Sequence, residues 1–152
     1  MARPRLFIDT SAFFALVAHD DRHHDSAQRF HKQLLKKKTW ELVTSEYVVS
    51  ETLTLLRSRK GNHVALHFGT SLLQSQIIAI QPVTSLDWRG GWEIFYQYED
   101  HPFSFVDCIS FALMRSLKIT AAFAFDPHFQ EFGFITSPKD PCLVPDPLPR
   151  GT

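Results

Sequence analysis

Leu6-Phe7-Ile8-Asp9-Thr10-Ser11-Ala12-Phe13-Phe14 is the stretch on which the fold turns. Three apolar residues give a short buried-strand signal, an aspartate cuts it off, and a helical stretch follows from about Ser11 to Ala18. A counterpart lies far along the chain, where the apolar run Ile119 to Phe125 predicts a long strand that ends on Asp126-Pro127. Between them the patterns alternate. Residues 19–25 are polar and read as a loop, and Ala27, Phe30, Leu34 and Leu35 recur at helical spacing. Trp40 to Val43 predicts a second strand. Thr44-Ser45 starts a helix that carries Val48, Val49, Thr52, Leu55 and Leu56 on to Lys60-Gly61. Further helices are expected from His63 to Leu73, over 87–98 and from Ser104 to about Leu117, with a strand from Ile77 to Ile80 and a last edge strand at Phe134-Ile135. Strands alternating with helices predict an α/β domain with a mostly parallel sheet, and such sheets bind ligands outside the carboxyl ends of their strands.

The chain has 152 residues, so one domain is expected. Sixteen basic and sixteen acidic residues cancel, which excludes a strongly basic nucleic-acid coat but not a local patch. Fourteen phenylalanines predict a ring-packed core. No apolar run reaches the roughly 18 residues of a membrane span. The start lacks the apolar stretch of a secretory signal, because Asp9 interrupts Leu6-Phe7-Ile8. Cys108 and Cys142 make neither a disulfide framework nor a zinc set. A soluble protein of a reducing, cytoplasmic compartment is expected. Five of the nine prolines fall after Ser137, so residues 1–136 are expected to form the domain and 137–152 a Pro-rich tail.

Four carboxylates sit at the starts of helices or the ends of strands. Asp9 and Asp126 each follow a strand, and parallel strands bring both to one edge of the sheet. Either residue also suits a helix cap, Asp126 all the more because Pro127 follows it. Glu51 lies one and a half turns into its helix among mostly apolar neighbours, where a solvated face is the plainer reading. Asp107 completes Ser104-x-x-Asp107, a capping-box pattern. Taken together, four carboxylates at one end of a sheet suit a hard divalent cation, Mg²⁺ or Mn²⁺, and phosphodiester hydrolysis.

These residues carry a resemblance. Phe7-Ile8-Asp9-Thr10-Ser11-Ala12-Phe13-Phe14-Ala15-Leu16 resembles the first motif of PIN-domain ribonucleases, and Val43-Thr44-Ser45 with Glu51-Thr52-Leu53-Thr54-Leu55-Leu56 resembles the second. Phe103-Ser104-Phe105-Val106-Asp107 resembles the third, and Phe123-Ala124-Phe125-Asp126-Pro127-His128-Phe129 with Gly133-Phe134 the fourth. His24-x-x-Ala27 also fits, and the match spans about residues 5–136. It is most similar to the short VapC-like toxins of toxin–antitoxin pairs. The resemblance implies a three-layer α/β/α fold around a central, mostly parallel five-stranded sheet. It implies a metal site of Asp9, Glu51, Asp107 and Asp126, with Glu51 either a ligand or the positioner of the attacking water, and Ser11 and Ser104 orienting water or phosphate. It further implies an Mg²⁺- or Mn²⁺-dependent endoribonuclease that forms a homodimer and is inhibited by a cognate antitoxin. The rival readings are an RNA-processing nuclease without antitoxin, and a degenerate module that only binds RNA or protein. The chain departs from the pattern at Ala124, where the fourth motif often has a hydroxyl residue, and in its Pro-rich tail.

Other features have plainer readings. Arg29, Lys32, Lys36, Lys37 and Lys38, and Arg57, Arg59 and Lys60, suit a solvated face, with an RNA-backbone track as the alternative. His63-x-x-x-His67 has helical ligand spacing but lacks the rest of a zinc hydrolase motif. His128, beside Asp126, is expected at the surface, with contact to substrate as the alternative. Trp88, Trp92, Phe95 and Tyr96 are expected in the core or on a dimer surface rather than as a base-stacking platform. Cys108 is expected to be a buried small side chain. No Gly-rich phosphate loop and no Ser or Cys nucleophile motif is present.

Overall fold

A computed structural model of the chain describes residues 2–139. Five strands form one sheet: β1 (Arg5–Ile8), β2 (Glu41–Ser45), β3 (Ile78–Gln81), β4 (Ala121–Phe123) and β5 (Ile135–Ser137), in the order β3-β2-β1-β4-β5. Every pairing is parallel, with Phe7 opposite both Val43 of β2 and Ala122 of β4. Parallel neighbours need crossovers. α1 (Thr10–Val17) and α2 (His24–Lys37) join β1 to β2, while α3 (Glu46–Lys60) and α4 (Asn62–Gln74) join β2 to β3. α5 (Ser85–Gln97) and α6 (Phe105–Ser116) carry the chain back across the sheet to β4, and α7 (His128–Phe132) leads to β5.

Side chains alternate across the strands, so the two faces collect different helices. Phe123 meets Phe30 of α2 edge-on at 4.8 Å, whereas Phe7 stacks on Phe129 of α7 at 6.4 Å. Phe129 in turn meets Phe111 of α6 at 5.0 Å. Phe7, Phe111, Phe123 and Phe129 are fully buried, giving the ring-packed core expected from the composition. The result is the expected three-layer α/β/α arrangement, and the sheet is wholly parallel.

The strand order reverses at β1. From there the first two connections build outward to β2 and β3, and the last two build outward on the other side to β4 and β5. The crevice outside the carboxyl ends of β1 and β4 is therefore the topological switch point of the sheet. Asp9 immediately follows β1, and Asp126 lies three residues beyond β4.

Several boundaries differ from the sequence reading. α2 begins at His24, inside the stretch expected to be loop, after the Asp21 side chain accepts from the His23 amide at 2.8 Å. The long strand expected over Ile119 to Phe125 is only Ala121–Phe123. At its start the Ile119 amide is held by Met114 O at 2.8 Å, which closes α6. At its end the Phe125 amide leaves the ladder for Ser11 Oγ at 3.0 Å. β5 runs on to Ser137, one residue past the expected domain boundary; 140–152 of the Pro-rich tail lie outside the described residues. Among the described residues no helix is long and apolar enough to cross a membrane. Cys108 is buried and free, as expected.

The aromatic residues of α5 do not enter the core. Trp88 is 43% exposed, Trp92 48% and Phe95 41%, and they form a surface cluster with Phe105 of α6. The core half of that expectation is thus corrected. Gly91 explains why the helix pair still packs closely: a Cβ there would come within 3.0 Å of the Ile109 backbone.

Candidate active site

Asp9 is both a cap and a member of a site. Its backbone is extended, and its Oδ2 accepts from the Ser11 amide at 3.1 Å and from Ser11 Oγ at 2.7 Å, which caps α1. Ser11 Oγ accepts in turn from the Phe125 amide at 3.0 Å and the Asp126 amide at 3.3 Å. One hydroxyl therefore ties the ends of β1 and β4 together and sets Asp126 beside Asp9. The same link accounts for Ala124. Its methyl lies in the apolar core and its amide bonds Ser137 O at 3.2 Å, so the chain turns toward the site on Ser11 without a hydroxyl at 124.

Asp107 sits in the first turn of α6. Its amide donates to Ser104 Oγ at 3.0 Å, and its Oδ2 accepts from the Ser104 amide at 3.0 Å, completing the expected capping box. The same Oδ2 accepts from His128 Nδ1 at 2.8 Å. Asp126 Oδ1 accepts from the His128 amide at 2.9 Å and lies 3.2 Å from His128 Nδ1. Glu51, half-buried on α3, accepts at Oε2 from Thr10 Oγ1 at 2.6 Å. The capping readings of Asp9 and Asp107 are therefore realised, and the caps are also what aim these carboxylates at the crevice.

Burial of like charges shows in the acidities. Asp9 is raised to about 7, chiefly by burial and further by Asp107 and Asp126, against the hydrogen bonds from Ser11. Burial also raises Asp107 and Glu51, with Asp126 adding repulsion to both and Asp107 adding it to Glu51. Burial would lower His128, but the hydrogen bond to Asp107 and the charges of Asp126 and Asp107 outweigh it and raise it. Among the described residues no Lys or Arg pairs with any of the four carboxylates; Lys60 pairs with Asp20.

His128 corrects the surface reading. Its side chain is 20% exposed, its ring meets Phe103 edge-on at 5.3 Å, and it bridges two of the carboxylates. The signal was its place two residues after Asp126, where a tight turn points a side chain back at the strand end. Thr10, beside Asp9, was also missed. Conversely, Lys36 to Lys38 lie away from the site. Lys38 precedes β2, whose first residue, Glu41, pairs with the first residue of β1, and its carbonyl accepts from Arg3 Nη1 at 3.2 Å. They thus occupy the amino-terminal edge of the sheet, opposite the carboxylates. Lys36→Ala with Lys37→Ala is expected to leave RNA affinity and its salt slope unchanged, where each lost phosphate contact would lower the slope by about one unit. His63 and His67 are exposed on α4, and among the described residues the group close enough to share an ion is instead Asp107, Asp126 and His128.

The family model for the PIN domain matches residues 6–135, which run from within β1 to the first residue of β5 and include all four carboxylates. The chain belongs to the PIN-domain family. PIN domains are metal-dependent nucleases. This PIN domain is 35% identical over 130 residues to the 23S rRNA-specific endonuclease VapC20 of Mycobacterium tuberculosis, in strains CDC 1551 / Oshkosh and ATCC 25618 / H37Rv. The match covers 86% of this chain and 95% of each relative. The crystal structure of Mycobacterium tuberculosis VapC20, described as a Sarcin-Ricin loop cleaving toxin, superposes with a TM-score of 0.76 at 34% identity, covering 86% of this chain and 96% of that one.

The residues of this PIN domain fit a divalent cation. Asp107 and Asp126 have His128 beside them, and among the described residues no Lys or Arg pairs with Asp9 or Glu51, so buried carboxylates that repel one another hold more negative charge than one imidazole balances, which a hard cation would offset.

Proposed function

We propose that this chain is a metal-dependent endoribonuclease toxin that hydrolyses a phosphodiester bond in an exposed loop of ribosomal RNA. The observation that carries the reading is the convergence of Asp9, Glu51, Asp107 and Asp126 at the switch point of a PIN-domain sheet. Identity to VapC20 over most of both chains supports the ribosomal substrate class and the toxin role. Asp9, Asp107 and Asp126 would hold the metal, Mg²⁺ or Mn²⁺. The bound ion supplies Lewis-acid stabilisation of the charge that develops on the phosphoryl oxygens. Ser11 fixes the spacing of Asp9 and Asp126 by holding both strand ends. Thr10 fixes one oxygen of Glu51, which leaves the other to orient the attacking water. Ser104 keeps Asp107 aimed at the site.

An antitoxin partner is supported by a groove along α3 beside Glu51. Its volume is about 750 Å³, and it is lined by Tyr47, Thr54, Leu55 and Val106 with Glu46 and Glu51. Largely apolar walls with Glu46 and Glu51 at the groove suit a partner segment that is apolar and basic. The same feature favours the toxin over an RNA-processing nuclease without antitoxin. A homodimer is supported by the exposed Trp88, Trp92 and Phe95, which cluster with half-buried Phe105, since contiguous exposed aromatics mark association surfaces. The toxin acts in the cytoplasm, where ribosomes are.

The test is cleavage of purified ribosomal RNA. A discrete fragment with Mg²⁺ or Mn²⁺, absent in chelator, is expected. Intact RNA under all metal conditions would leave only the RNA- or protein-binding module.

A further inference from the structure

The roles above give His128 no part, although it is the best-placed donor in the crevice. Its Nδ1 lies 2.8 Å from Asp107 Oδ2 and 3.2 Å from Asp126 Oδ1. Among the described residues, these three side chains form the group of donors whose ligating atoms lie close enough to share one ion. Adjacent ligands of an octahedral ion bound at about 2.1 Å are about 3.0 Å apart, close to both separations from His128 Nδ1, which gives up the proton it shares with Asp107 when it binds the ion. The imidazole is also held in place. Its amide is bound by Asp126, and its ring abuts Phe103. The five-residue α7 that carries it is anchored by fully buried Phe129 and closed by Gly133 at φ 114°, a conformation that favours glycine. A surface histidine has no such constraints.

We propose that His128 is a nitrogen ligand of the metal centre, beside Asp107 and Asp126, and that it biases the site toward Mn²⁺ over Mg²⁺. The inference rests on reading the four carboxylates as a metal site. Mg²⁺ is hard, takes oxygen donors and keeps its waters, so an imidazole in the donor set disfavours it. Mn²⁺ shares the carboxylate preference of Mg²⁺ but, as a first-row transition ion, accepts an imidazole nitrogen more readily than Mg²⁺ does. A set of carboxylates alone would offer no such discrimination.

The test reads the ligand directly. Full-length parent protein, loaded with less than one equivalent of Mn²⁺ and no RNA, is measured by electron spin echo envelope modulation. A ¹⁴N coupling of directly bound imidazole is expected. It should change to the ¹⁵N pattern in protein grown on ¹⁵N-histidine, which needs no substitution. In His128→Ala the coupling should vanish. The Mn²⁺ dissociation constant should then rise at least about tenfold, with the Mg²⁺ constant, read by competition, changing far less. Mn²⁺ that binds the parent, and binds Asp107→Asn more weakly, but shows no nitrogen coupling would overturn the role of His128 and leave the carboxylate site standing. Equal loss of both ions in His128→Ala would overturn the selectivity. No Mn²⁺ binding by the parent would overturn the metal-site reading itself.

Discussion

Asp9→Asn is expected to cut RNA cleavage by at least ~10²-fold while the protein stays folded, a scale typical of removing one main electrostatic group from a reacting centre. The substitution is close to isosteric, and asparagine is as good a helix cap as aspartate. The amide oxygen can still accept from the Ser11 amide and hydroxyl, so the link from β1 to β4 through Ser11 survives. What is lost is the charge on the least exposed of the four carboxylates, 3% exposed at the end of β1. Circular dichroism and thermal melts of the variant should match the metal-free parent or exceed it. Cleavage retained at the parental rate with Mg²⁺ would remove Asp9 from the metal site.

The second large effect is on stability against pH. In the unfolded chain Asp9 titrates near 3.8, and in the folded protein at about 7. Between those values the native state holds a proton that the unfolded chain has lost, so metal-free stability falls as pH rises. The contribution is fully present below about pH 4 and gone once pH passes about 7. A difference of about three units corresponds to about 4 kcal/mol. The raised acidities of Glu51 and Asp107 act in the same direction. So does that of His128, whose folded form holds its proton to higher pH. Melts in chelator from pH 5 to 8 should therefore show the parent losing stability relative to Asp9→Asn, which lacks this titration. Above pH 7 the variant should be the more stable protein. Mn²⁺ should raise the melting temperature of the parent strongly at pH 8 and weakly at pH 5, where protons compete for the same oxygens. A parent and variant whose difference does not move with pH would mean that Asp9 is ionised normally and the crevice is open to water.

Asp107 shows why one residue supports two readings. Ser104-x-x-Asp107 is a capping box in the sequence and in the structure, and the capping oxygen is also the one that His128 reaches. Local pattern gives the cap, because a cap involves residues three apart. It cannot give the partner 21 residues away. The same division holds for Ser11, whose hydroxyl caps nothing on α1 itself but holds amides 114 and 115 residues away.

The alternation of strands and helices, the parallel sheet and the placement of four carboxylates at strand ends and helix starts are legible in the amino-acid sequence. Those follow from hydrophobic period and turn chemistry, which act over a few residues. Whatever depends on crossing the sheet is set by long-range packing, and the chain's closure does the rest. Packing decided where the strand after α6 stops, since Ser11 takes its next amides. It sent the Lys36 to Lys38 run to the edge away from the site, because α2 ends where β2 begins. It left the α5 aromatics outside the core, because a helix period marks a face but not what covers it. It turned His128 from the surface into the crevice, since a side chain's neighbours are set by chain closure rather than by its own spacing.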